Sequence, residues 1–226
     1  MTIIGITVGS TEKPSVVGAY VKAVMFAGGT PLLLPTIVEG DDTVAEAISR
    51  VDALLLSGGG DIHPEEYGER VRVTLDAVDR HRDHVERCAV RAAMSNGQRI
   101  LGVCRGAQML AVATGGTLIQ DLAVEGFFGH MDHRHDRGYA TLRHGIKAEV
   151  GSRAETSLDG STEINSHHHQ AIRHTGDVLH ATAWATDGVI EAVEGPNLLG
   201  LQWHPETLFT NDNRHHEPFR WLVQGE

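Results

Sequence analysis

An apolar pair, Ile100-Leu101, leads into Gly102-Val103-Cys104-Arg105-Gly106, and a segment patterned as a helix, Gln108 to Ala113, follows at once. A strand driven through a sharp glycine-flanked turn into a helix needs a sheet beside it and a helix layer above, which directs the chain towards an α/β layout. Such an elbow also leaves its central side chain exposed. Here that side chain is a cysteine. The helix behind it turns unpaired N–H groups and the positive end of its dipole towards the sulfur, which favours the reactive thiolate. Cys104 is therefore a candidate nucleophile; the alternative is a small core residue.

The rest of the chain agrees with that layout. Met1–Val8 reads as a first strand rather than a leader, having neither a basic start nor a cleavage site. Val17, Tyr20, Val21, Val24 and Met25 share one helical face, which Gly28-Gly29 ends. Leu32–Leu34 reads as a short buried strand, and Thr43-x-x-Glu46 as a capping box opening the next helix. The strand Val51–Leu56 ends in Ser57-Gly58-Gly59-Gly60-Asp61. His81–Ser95 carries an apolar stripe at Val85, Cys88, Ala89 and Ala92, which places Cys88 in the core. Alternating strands and helices predict a mainly parallel central sheet covered on both faces. Val178–Thr186 and Val189–Val193 meet at Asp187-Gly188, a hairpin signal, and Gly195-Pro196-Asn197 turns the chain into Leu198–Trp203. An antiparallel C-terminal extension is expected.

Composition excludes several functions. The formal net charge is −11 with histidine neutral, which repels phosphate backbones and anionic lipid, so neither nucleic acid nor membrane is an expected partner. No run reaches membrane-spanning length. The only cysteines, Cys88 and Cys104, cannot build a disulfide framework and suit a reducing cytoplasm. A chain of 226 residues with no linker reads as one domain, residues 1–226, and a symmetric homodimer is the default assembly.

A thiolate mechanism needs a base that also protonates a leaving group, and a third residue to orient it. Leu201-Gln202-Trp203-His204-Pro205-Glu206 supplies both, His204 lying just past an apolar strand and Glu206 two residues on. Any one of 15 histidines is ordinarily a surface or core residue; the neighbourhood of Glu206 and the upstream elbow single out His204. Attack on a carbonyl also needs preorganised N–H donors. The glycines after the Val51–Leu56 strand let the backbone approach a ligand, so Gly59 or Gly60, with the Arg105 amide, are assigned to an oxyanion hole; a plain flexible turn is the other reading.

These elements together resemble the class I glutamine amidotransferase superfamily, whose nucleophile motif G-x-C-x-G-x-Q includes Gln108 here and whose His-Pro-Glu motif is His204-Pro205-Glu206. Further segments are similar to its gamma-glutamyl-gamma-aminobutyrate hydrolase branch. They are Ser57–Pro64 with Tyr67-Gly68, Asp79-x-x-Arg82-Asp83-x-x-Glu86, Gly115-Gly116-Thr117-Leu118-x-Gln120-Asp121 and Asn165-Ser166-x-His168-His169-Gln170. The resemblance spans nearly the whole chain. It implies a flavodoxin-like three-layer fold and a cysteine hydrolase that cleaves a small gamma-glutamyl amide through a glutamyl thioester. It implies no metal or organic cofactor. Gln108, Asn165, Ser166, His168 and His169 would border the glutamyl pocket by similarity. The leaving amine is left open among gamma-aminobutyrate, a polyamine, an aromatic amine, an amino acid and ammonia.

Other residues have plainer readings. Asp83 and Glu86 fit a solvated, ion-paired helix face as well as any site role. Trp184 and Trp203 fit strand cores, and His215-His216 the surface. The cluster His130-Met131-Asp132-His133-Arg134-His135-Asp136, with His144 beyond, reads as a loop near the site, metal binding being the alternative. Rival functions are a glutaminase subunit feeding a partner synthetase, an α/β-hydrolase with a cysteine elbow, and a non-catalytic ligand- or metal-binding protein on the same scaffold. In α/β-hydrolases the acid precedes the histidine, whereas here it follows.

Overall fold

The computed structural model describes residues 1–10, 12–128, 140–209 and 213–225. The chain runs β1 (Ile3–Val8), α1 (Pro14–Phe26), β2 (Thr30–Pro35), α2 (Asp41–Ile48), β3 (Ala53–Leu56), a short 3₁₀ turn, α3 (Arg80–Ser95), β4 (Arg99–Val103), α4 (Arg105–Ala113) and β5 (Thr117–Ile119). It continues with β6 (His144–Ala148), α5 (Arg153–Leu158), β7 (Glu163–Ile164), β8 (Ala171–His174), β9 (His180–Ala185), β10 (Ile190–Gly195), β11 (Leu198–Leu201), α6 (Pro205–Leu208) and α7 (Glu217–Gln224).

Strand order is β2-β1-β3-β4-β11-β10-β9-β6-β7, with β5 and β8 paired beside β10. The first five of these run parallel. From β10 onward the pairing is antiparallel. The expected hairpin is the β9–β10 turn, where Gly188 takes φ 92°. The last strand, β11, then comes back parallel against β4, so the C-terminal segment is part of the central sheet and not merely appended to it.

Parallel strands covered on both faces must be apolar throughout, and all of β3 is buried. Its residues alternate between two cores. Ala53 and Leu55 join Tyr20, Val24, Phe219 and Leu222 under α1 and α7. Leu54 and Leu56 join Ile48, Val85, Ala89 and Leu110 under α2, α3 and α4. Each such leucine, removed from water, contributes about 1.5–3 kcal/mol. This is the expected three-layer arrangement.

Five local expectations are corrected. Leu32 and Leu33 are exposed rather than buried, because β2 is an edge strand of the sheet. The α2 helix starts at Asp41 after Gly40, whose φ of 88° turns the chain, so Thr43 lies inside the first turn and caps nothing. Asp83 and Glu86 are fully buried rather than solvated, because cationic partners from other elements reach them. Cys88 is only half-buried at the rim of its core, its sulfur 3.7 Å from His84 Nε2. His215 and His216 are buried, the His216 ring standing edge-on to Phe26 at 4.3 Å between centroids. Trp203 is fully buried, as expected, and Trp184 lies half-buried on β9. Among the described residues no helix is long and apolar enough to cross a membrane.

Candidate active site

Strand β4 delivers Cys104 into a backbone conformation of φ 53° and ψ −110°, a region a β-carbon disfavours. The turn is held in place from both sides. The Cys104 amide donates to Leu201 O of β11 at 2.7 Å, and its carbonyl accepts from Ala107 N and Gln108 N. A β-carbon on Gly106 would stand 2.2 Å from Leu56 O, so only glycine lets α4 sit across the end of β3. The thiol is 5% exposed.

His204 arrives from β11, and α6 starts immediately after it. Its backbone is clamped by one side chain: His204 N donates to Asn165 Oδ1 at 2.9 Å, and Asn165 Nδ2 donates to His204 O at 3.1 Å. On the ring, Nδ1 lies 2.7 Å from Glu206 Oε1. Burial alone would favour the neutral ring. The Glu206 carboxylate and then the Cys104 sulfur outweigh it and raise the His204 pKa well above the ordinary histidine value. Sulfur, imidazole and carboxylate thus form a series in which a proton on the ring is stabilised from both ends.

The glycine loop after β3 is fixed by charge. Arg82 Nη2 donates to Gly58 O at 2.8 Å and to Ser57 O at 3.2 Å, and its Nε donates to Glu86 Oε1 at 2.9 Å. Glu86 also accepts from Arg105 and from the Thr7 hydroxyl, and Arg105 Nη2 donates to Asp83 Oδ1 at 2.5 Å. Arg82 is further paired with Glu12. One buried network therefore ties the loop to Arg105, the residue after Cys104. The loop's first amide, Gly58 N–H, donates to the Tyr20 hydroxyl at 2.9 Å. Burial, then the Glu206 charge, pushes the Tyr20 pKa far up, so its phenol stays neutral. The Gly59 and Gly60 amides donate to no other group of the described chain.

Two cavities meet at Cys104. The smaller, about 120 Å³, is lined by Gly59, Gly60, Arg105, Gln108 and the 167–170 segment. The larger, about 520 Å³, is lined by Val16, Ala19, Tyr20, His204 and Glu206. Gly60 and Arg105 thus open onto the smaller cavity and His204 onto the larger, with Gly59 between them on both.

Of the expected pocket residues, Gln108, His168 and His169 line the smaller cavity. Gln108 Nε2 donates to Gln170 O at 2.9 Å and to Gln202 Oε1 at 3.1 Å. The His169 ring is held between Asp61 Oδ1 at 2.7 Å and Asp121 Oδ2 at 3.2 Å. Asn165 and Ser166 are fully buried and line neither cavity; Asn165 acts on the His204 backbone instead. Tyr20, Arg82 and His167 escaped the sequence reading as site residues. Tyr20 looked like part of an apolar stripe, and nothing in sequence sets the His167 ring 5.7 Å from that of His204. His130–Asp136 lie outside the described residues.

Known proteins match the chain in sequence and in fold. The peptidase C26 family model aligns with residues 4–206. The chain belongs to that family. As a member it is a class I glutamine amidotransferase-like hydrolase. A Mycobacterium tuberculosis protein provisionally named a glutamine amidotransferase is 37% identical over 83% of the chain, which spans only 61% of that relative. The gamma-glutamyl-gamma-aminobutyrate hydrolase PuuD of Escherichia coli is 32% identical, covering 83% of this C26 chain and 76% of PuuD. In fold, the chain is similar to the Trypanosoma brucei CTPS glutaminase domain, with TM-score 0.61 at 16% identity over 100% of this chain and 95% of that one.

Proposed function

We propose that this C26 member hydrolyses gamma-glutamyl amides of small amines, with Cys104, His204 and Glu206 as its catalytic residues. The Cys104 sulfur attacks the γ-carbonyl carbon as its proton passes to His204, and the carbonyl oxygen becomes an oxyanion facing the Gly59, Gly60 and Arg105 amides. The C–N bond breaks as His204 returns that proton to the amine nitrogen. Water, deprotonated by His204, then cleaves the thioester, releasing glutamate and restoring the thiol. The carboxylate of Glu206 keeps the ring oriented throughout.

The observation that carries this reading is the placing of His204 on the larger cavity alone. A leaving nitrogen must approach His204, so the amine occupies the space of about 520 Å³ and the glutamyl part the polar space of about 120 Å³. Ammonia would leave the larger space unused, which favours a substituted amine over glutamine. The E. coli relative's name supports the same substrate class.

Mass spectrometry of the purified protein with gamma-glutamyl-gamma-aminobutyrate, a gamma-glutamyl polyamine and glutamine tests this. We expect free glutamate from the substituted amides without any partner, a glutamyl adduct on Cys104, no turnover by Cys104→Ala and full turnover by Cys88→Ala. Cleavage of glutamine alone, and only after a synthetase is added, would overturn it.

A further inference from the structure

Beside the smaller cavity, three side chains from separate parts of the fold converge. His144 opens β6, His168 lies between β7 and β8, and Glu191 is on β10. His144 Nε2 stands 3.6 Å and His168 Nε2 3.7 Å from the same oxygen, Glu191 Oε1, and the ligating atoms all lie within 4.8 Å of one another. Metal bonds of about 2.0–2.1 Å in a tetrahedron set donor atoms roughly 3.3–3.4 Å apart, so the two histidine–glutamate spacings need a few tenths of an ångström of closure and the His144–His168 spacing at most about 1.5 Å.

The outer contacts agree. His144 Nδ1 meets the Gly145 carbonyl oxygen at 3.1 Å and His168 Nδ1 meets that of Gln170 at 2.9 Å. A carbonyl can only accept, so each Nδ1 carries a proton, and in the neutral form of each ring Nε2, on the Glu191 side, is the nitrogen able to ligate a metal. Metal-ligating histidines are oriented in this way by their second nitrogen. The side chains of His144, His168 and Glu191 are 10%, 2% and 0% exposed, which shields the point they share from bulk water.

We infer that His144, His168 and Glu191 form a binding site for a divalent transition metal of the zinc class, separate from the Cys104–His204–Glu206 series. Two imidazoles and one carboxylate suit zinc better than magnesium or calcium, which prefer oxygen donors. A bound ion would join β6 and β10 to the segment whose Gln170 carbonyl holds Gln108, stiffening one wall of the smaller cavity. The inference does not depend on the proposed substrate.

The test uses the metal-stripped full chain and Zn²⁺ alone, read by elemental analysis after dialysis and by thermal unfolding. We expect one equivalent of zinc retained and, at a hundredfold excess over Kd, a melting temperature raised by about 5–11 °C. His144→Ala and Glu191→Gln should each weaken zinc binding on the order of a hundredfold or more. His144→Ala keeps the test valid should the buried Glu191→Gln fold poorly. X-ray absorption should show nitrogen and oxygen neighbours only. A sulfur neighbour at about 2.3 Å, zinc lost on His84→Ala, or binding unchanged in His144→Ala would overturn the assignment, as would a wild-type chain that retains no zinc.

Discussion

Glu86 has no exposed surface and stands among Arg82, Arg105 and the Thr7 hydroxyl, all of which donate to it. The substitution Glu86→Gln keeps the shape and removes the charge, leaving two buried guanidinium groups facing an amide. Removing one member of a buried ion pair costs about 3–5 kcal/mol, most of it the penalty of the charge left behind. For a chain of this size about 2–4 °C of melting temperature goes with each kcal/mol, so the variant should melt about 6–20 °C lower. Burial alone would raise the Glu86 pKa, but Arg105 and Arg82 outweigh it and hold the carboxyl below its usual range. A depressed folded-state pKa gives stability that is present above the unfolded value and disappears as pH falls through the folded one. The gap between wild type and variant should therefore close in acid. Circular dichroism melts from neutral pH downward measure this, with Glu46→Gln, an exposed partner of Arg50, as a control expected to change stability by under about 0.5 kcal/mol. Because the same network holds the glycine loop, kcat should also fall, by about tenfold to a hundredfold. A Glu86→Gln protein that melts within about 2 °C of wild type and turns over normally would refute the claim that this network organises the site.

Two further outcomes follow from the site. A β-carbon at Gly60 would stand 2.3 Å from the Ala77 carbonyl oxygen, so Gly60→Ala should displace the loop and lower kcat by about 10²–10³ with little change in KM; an unchanged kcat would remove the loop from transition-state stabilisation. Since the Glu206 charge raises the His204 pKa, Glu206→Gln should shift the acidic limb of the kcat/KM profile to lower pH while slowing turnover less than His204→Ala. A limb that does not move would mean that this histidine is not the titrating base.

Periodicity and turn chemistry made the framework legible. The α1 helix, the α3 helix, the β9–β10 hairpin and the strand–elbow–helix around Cys104 all depend on local signals that the fold reinforces, although Met25 of the expected α1 stripe is exposed. What stayed hidden depends on partners far away in the chain. Arg82 and Glu86 are a turn apart on α3, and nothing local tells a solvated pair from one buried against Arg105. Asn165 looked like a pocket residue because its neighbours His168 and His169 are; its amide instead grips the backbone of His204, 39 positions on. Tyr20 was read correctly as buried, yet its hydroxyl, at the far end of an apolar ring, meets the Gly58 amide. The Thr43 capping signal failed because Gly40 had already turned the chain.

The parallel pairing of β4 with β11, Val103 opposite Leu201, fixes when reactivity can arise as well as where. During synthesis, at roughly 5–20 residues per second, the cysteine leaves the ribosome several seconds before His204, its proposed base. Until β11 slots in beside β4, the growing polypeptide lacks His204, and on the proposed mechanism Cys104 lacks its partner base. On that mechanism the ladder acts as a temporal safeguard: the proposed nucleophile is armed by one of the last strands to be made, and a chain cut short before it lacks the proposed base.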